Sequence, residues 1–115
     1  MANRRMERVN QLILEEVANV IQKDLEDPHV GFTTVVSVDT ASDFSQSVIH
    51  ISVLDSAEKQ EESVNALNRA ANFIRNEIAP KIKTRLLPRL IFKLDHTAET
   101  AIRITQLLNE KKIVR

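Results

Sequence analysis

"RAANFIRNEIAPKIKTRLLPRLIFKLD", residues 69–95, changes its hydrophobic period partway along. Ala71, Ile74, Ile78 and Ile82 recur at intervals of three and four, which is the spacing of a helix face. After Pro88 the pattern becomes strict alternation, with Leu90, Phe92 and Leu94 set against Arg89, Ile91 and Lys93, which is the spacing of a half-buried strand. The helical part is not read as one straight rod. Ala70, Ala71 and Asn72 form a small-residue step in which Asn tolerates left-handed geometry, and Pro80 removes a backbone donor. The stretch therefore predicts two helices, or one kinked helix, followed by a strand.

Upstream, the helical stripe continues to Leu67 and Val64 and starts after "DSAEKQEES", whose Asp, Ser and Glu suit a helix N-terminus. Before it, "FTTVVSVDT" and "SVIHISVLD" are rich in β-branched residues. Alternation puts Phe32, Thr34, Val36 and Val38 on one side of the first strand, and Ile49, Ile51 and Val53 on one side of the second. The polar "TASDFSQ" between them fits a hairpin and so an antiparallel pair. From Asn3, a plausible N-cap, to Leu25, the apolar residues Met6, Val9, Ile13, Val17, Val20, Ile21 and Leu25 mark an amphipathic helix. It ends at "EDPHVG", where Pro28 disfavours helical geometry at Asp27 and Gly31 permits a turn. Downstream, Thr97 can cap a last helix with Glu99 in its first turn, Ala101, Ile104, Leu107 and Leu108 facing inward, and the basic end "KKIVR". Helices packed on one face of a small three-stranded sheet make a two-layer α+β domain whose other sheet face is more open to solvent.

A chain of 115 residues that is 43% hydrophobic has room for one domain with one core. No window approaches a membrane span, and the charged start "MANRRMERVN" lacks a secretory signal, which points to the cytoplasm. With no cysteine there is no disulfide framework or thiolate metal site. Four Phe with neither Trp nor Tyr mean that nucleic-acid contact would lean on charge and backbone shape more than on base stacking.

The formal net charge is zero, yet it is partitioned. Residues 1–58 hold four basic side chains against ten acidic ones, and residues 59–115 hold twelve against six. Between Glu77 and Asp95 come Lys81, Lys83, Arg85, Arg89 and Lys93 with no acidic residue among them. Such partition makes a positive side that attracts phosphate and an acidic side that limits indiscriminate binding.

The chemistry of an active site is missing. There is no nucleophile motif and no His/Asp/Glu metal pattern, and a single glycine excludes the Gly-rich phosphate loops. Glu15 and Glu16, like Glu61 and Glu62, are adjacent and do not face each other on a helix, so they read as solvated surface. His50 is a lone histidine in a strand, with no second ligand at metal spacing. No cofactor and no metal are expected. The basic group is different. Lys81, Lys83 and Arg85 at the end of the third helix complement its dipole, but that does not account for Arg89 and Lys93 in a strand. With Arg69 and Arg75 flanking the kink, a helix corner beside an edge strand would form a cationic groove suited to a phosphodiester backbone.

Arg8–Val9, "DPHV" at Asp27–Val30, "AANFIR" at Ala70–Arg75, the set Arg85, Pro88, Leu90, Phe92, Asp95, Thr97 and Glu99, and "RITQLL" at Arg103–Leu108 together resemble the bacterial ribosome-binding factor A family nearly end to end. The resemblance implies one KH-like RNA-binding domain over 1–115, of type II order α-β-β-α-α-β with an added C-terminal helix. It implies binding of 16S rRNA on the free small (30S) subunit, help in its late maturation including processing of the 16S 5′ end, a part in cold adaptation, and no enzymatic activity. It also implies a cytoplasmic monomer that meets other small-subunit assembly factors, such as maturation GTPases, and no membrane. The RNA-binding set on this chain is then Arg4, Arg5, Arg8, Arg69, Asn72, Arg75, Lys81, Lys83, Arg85, Arg89 and Lys93. The family's Ala-x-Gly kink falls on Ala70, Ala71 and Asn72, with Asn where Gly is expected, and His29 stands where Arg is common. The alternative class is a protein-interaction module of ribosome assembly without direct RNA readout, in which the acidic first half does the recognition. A small housekeeping enzyme comes third.

Overall fold

The computed structural model describes residues 4–23, 25, 27–82 and 87–95. The expected caps Asn3 and Thr97, the C-terminal helix, Lys83 and Arg85 lie outside them. In chain order the elements are α1 (Arg4–Lys23), β1 (Thr33–Thr40), β2 (Gln46–Val53), α2 (Ala57–Arg69), α3 (Ala71–Ile78), a 3-10 turn (Ala79–Lys81) and β3 (Arg89–Leu94).

The sheet order is β1-β2-β3. β1 and β2 are antiparallel, as a hairpin must be, and β2 and β3 are parallel. A parallel neighbour needs a crossover, and α2 with α3 supplies it. The hairpin closes with Ala41 N–H donating to Gln46 O at 2.8 Å and Phe44 N–H to Ala41 O at 2.8 Å. Phe44 takes φ 60, the one non-glycine positive φ among the described residues.

The core lies between sheet and helices. Val9, Ile13, Val17 and Val20 of α1, Leu67 of α2, and Ile74 and Ile78 of α3 bury against Val38, Ile49, Ile51, Leu90 and Phe92. The helical stripes and the alternation of β3 are those read from the sequence: Leu90 and Phe92 point inward, Arg89 and Lys93 outward. The phase of β1 is not. A bulge between Val35 and Ser37 sets two residues against one on β2. Before it Val35 packs against the core, and after it Val38 does, while Phe32, Thr34 and Val36 are exposed. Simple alternation from Phe32 put all four on one side and so inverted the first half of the strand.

Small polar groups tie the layers together. Ser56 caps α2 by accepting from Lys59 N–H at 3.2 Å. Ser63, fully buried, accepts from Gly31 N–H at 2.8 Å and donates to Lys59 O at 2.7 Å, which clamps the turn after α1 to α2. Gly31 has no positive φ; what it needs is space, because a Cβ there would stand 3.3 Å from Lys59 Cγ, Ser63 Oγ and Val53 Cγ1.

Candidate nucleic-acid interface

The helix break is sharp and falls at Ala70, whose φ −88 and ψ 2 interrupt α2 before α3 begins at Ala71. That is the expected triplet but not the expected mechanism. Asn72 lies in the first turn of α3 with a negative φ, so the kink needs no left-handed residue there. A short bridge-region residue is enough to re-aim the helix.

The structure divides the predicted basic set. Arg89 and Lys93 are exposed on the sheet face that carries no described helix, since Leu90 and Phe92 between them face the helices. In register they sit beside Gln46 and His50 of β2. Neither has an ion-pair partner among the described residues. Lys93 therefore adds to a polar row in which His50 Nε2 and Asp39 Oδ2 are 3.1 Å apart. Lys81, in the 3-10 turn on the helical side, lies 3.5 Å from Glu16 of α1. Arg69, exposed in the last turn of α2, suits the negative end of that helix. The groove expected between helix corner and β3 is thus not formed by these side chains together. Arg89 and Lys93 serve one face, and Arg69 and Lys81 the other layer.

Arg75 has a different role from the one expected. It is half-buried, its Nη2 donates to Leu87 O at 2.6 Å and its Nε lies 3.2 Å from both Leu87 O and Pro88 O. These bonds anchor the chain entering β3, and they occupy the guanidinium in the fold itself. Arg4, Arg5 and Arg8 stand on the first turns of α1, about 12 to 18 Å along the axis from Glu16. Cations at a helix N-terminus oppose the macrodipole, with Glu7 alone offsetting them in that turn, so helix stability does not explain their position.

Sequence reasoning missed two sites of order. Asn68 was not singled out in the sequence, yet its side chain bonds both backbone groups of Phe92 and covers the outer edge of β3. His29, seen only as a lost positive charge, makes a 2.6 Å contact from Nδ1 to Glu62 Oε1, while Lys59 Nζ donates to Pro28 O at 2.9 Å. The imidazole hydrogen bond above all, with help from the Lys59 charge, holds the Glu62 carboxyl below the ordinary glutamate range against an opposing desolvation. The Asp-Pro-His turn is a latch on α2.

Among the described residues no cluster of three or more His, Asp or Glu could hold a metal ion, and no helix is long and apolar enough to cross a membrane. An α-β-β-α-α-β order with a mixed three-stranded sheet and the described helices on one face is a KH-like α+β domain. Comparison with known proteins gives the family. The chain belongs to the ribosome-binding factor A family, whose model matches residues 5–108. It is 41% identical over 106 residues to ribosome-binding factor A of Desulforamulus reducens, covering 92% of this chain and 88% of that one. The crystal structure of ribosome-binding factor A from Thermus thermophilus superposes with a TM-score of 0.69 at 27% identity, covering 77% of this chain and 94% of that chain. A homology model of the Thermus thermophilus factor, fitted into the cryo-EM map of a 30S complex, matches with a TM-score of 0.60 at 28% identity over 73% of this chain and 88% of that one.

Proposed function

We propose that this protein is a ribosome-biogenesis factor that binds 16S rRNA on the free 30S subunit and assists its late maturation, including processing of the rRNA 5′ end. The observation that carries the reading is the pair Arg89 and Lys93, exposed on the sheet face away from the described helices and without an ion-pair partner among the described residues, in a chain whose Thermus relative is fitted into a 30S complex. Two cations on a rigid strand track a phosphate backbone without needing aromatic stacking, which this chain cannot supply in quantity. Lys81, with Lys83 and Arg85 following it in sequence, and Arg69 and Asn72 at the break make a second contact group apart from that face, and Arg4, Arg5 and Arg8 make a third. Arg75 is held to the fold through Nε and Nη2, which leaves Nη1 as the part of its guanidinium that would meet phosphate.

The protein acts as a monomeric cytoplasmic domain spanning 1–115, alongside other assembly factors and without catalysis of its own. A maturation factor leaves before initiation, so it belongs with free subunits and their precursors. Sucrose-gradient fractionation of cell extract tests this. The signal is expected with free 30S particles and absent from polysomes, and cells lacking the protein are expected to accumulate 16S precursor with an unprocessed 5′ end. A signal concentrated in polysomes contradicts the reading.

A further inference from the structure

The two edges of the sheet are treated differently. At β3 the outward N–H and C=O of Phe92 are both taken by Asn68. At β1, Phe32 O accepts from Leu54 N–H and Ala41 N–H donates to Gln46 O, so these residues face β2. Antiparallel alternation then turns the N–H and C=O of Thr33, Val35, Val38 and Thr40 away from β2. Among the described residues no third element bonds to that edge.

Beside the start of β1 opens a cavity of about 360 Å³, lined by Ile21 in the last turn of α1, Leu25 beyond it, Val30, and Phe32, with Asp27 on its wall. That volume is at the small end for ligand sites and accommodates a single large side chain. Phe32, at its mouth, is 73% exposed, an uncommon state for an aromatic ring unless a partner covers it. In sequence, residues 24–58 contain seven Asp and Glu and no Lys or Arg; of these, Asp27 lines the cavity and the Asp39 side chain on β1 is 78% exposed beside His50, while Lys59 of α2 reaches Pro28 O on the far side of the turn.

We propose that the outer edge of β1, with the adjoining cavity, binds an extended basic peptide of a partner protein by strand addition. Backbone bonds to Thr33, Val35, Val38 and Thr40 supply the pairing, an apolar anchor enters the cavity, and Lys or Arg faces Asp39 about 16 Å further along the strand. The site lies on the acidic half of the chain and does not depend on the RNA surface.

The test uses the full chain with a blocked heptapeptide, Phe-Thr-Val-Thr-Lys-Thr-Lys, and its reversed sequence, because strand direction is open. Amide exchange followed by NMR is expected to slow about tenfold or more at Thr33, Val35, Val38 and Thr40 with one of the two peptides. Methylating alternate peptide nitrogens, which removes the bonds without touching the protein, abolishes the effect. Asp39→Asn weakens binding several-fold and Phe32→Ser removes the preference for an aromatic anchor over alanine. Four results overturn the proposal: neither peptide binds; a peptide shifts resonances but leaves β1 exchange unchanged, a mere charge contact; the β1 amides are already protected in a dimer seen by sedimentation velocity; or a 16S rRNA fragment, and not the peptide, protects them.

Discussion

Asn68 of α2 bonds Phe92 of β3 through both ends of its amide, Nδ2 donating to Phe92 O at 3.1 Å and Oδ1 accepting from Phe92 N–H at 2.8 Å. The side chain imitates one residue of a fourth strand and closes a sheet edge that would otherwise offer itself to another chain. Asn68→Ala leaves both groups of a residue that is 1% exposed without partners and is expected to cost about 1 to 3 kcal/mol. Urea unfolding measures this, and hydrogen exchange locates it as faster exchange at Phe92. A loss below about 0.5 kcal/mol would mean water replaces the amide without penalty.

The break at Ala70 makes a second test. Because Asn72 is helical, Val or Gly there changes only helix propensity: Asn72→Val is expected to be near neutral and Asn72→Gly to cost a few tenths of a kcal/mol. A left-handed Asn72 demands the opposite order, with Gly stabilising and Val costing about 1 kcal/mol or more. Thermal melts of the two variants separate these cases.

Gly31→Ala is expected to destabilise the fold by about 1 to 3 kcal/mol, the usual range for overpacking. Its new methyl meets Lys59 Cγ, Ser63 Oγ and Val53 Cγ1 at 3.3 Å each, and Val53 and Ser63 are buried with little room to yield. Adding Ser63→Ala relieves one of the three contacts while removing a hydrogen bond to Gly31. A double-mutant cycle is therefore expected to show coupling, and strict additivity would place the strain elsewhere.

What the sequence disclosed and what it concealed follow from the range of the forces involved. The stripe Val9, Ile13, Val17, Val20 and the alternation Leu90, Phe92, Leu94 were legible because periodic burial is a local pattern. The β1 phase was not, because a bulge is a property of two strands in register and leaves no mark at Val36 beyond an ordinary β-branched residue. Asn68 was not singled out and the backbone bonds of Arg75 were not foreseen for one reason: nothing in sequence marks a polar side chain that serves a distant backbone group. The cations of the candidate surface were found by counting charge. Their division between the two layers required knowing which way β3 faces.

The His29–Glu62 latch carries a pH dependence. The folded state holds the Glu62 carboxyl below its ordinary range, mainly through the hydrogen bond from His29. A depressed carboxyl contributes stability above its unfolded pKa and loses it as pH falls through the folded value. The contribution of Glu62 is thus present at neutral pH and disappears in the acid range below the usual glutamate titration. Carbon-detected NMR titration of Glu62 is expected to show the depressed value in the wild type and its return toward normal in His29→Ala. An unchanged Glu62 titration in the variant would contradict the latch.

The central claim is that Arg89 and Lys93 meet phosphate on the small subunit. Neither side chain supports the fold: both are exposed, and neither has an ion-pair partner among the described residues. The decisive measurement is the affinity of Arg89→Gln/Lys93→Gln for purified 30S subunits across a salt series, after circular dichroism has shown the wild-type spectrum. Binding is expected to weaken markedly at low salt, and the slope of log affinity against log salt to become shallower by about one to two units, the counterions of two lost contacts. A folded variant that binds with the wild-type affinity and the wild-type slope would show that the open face of the sheet does not touch the subunit.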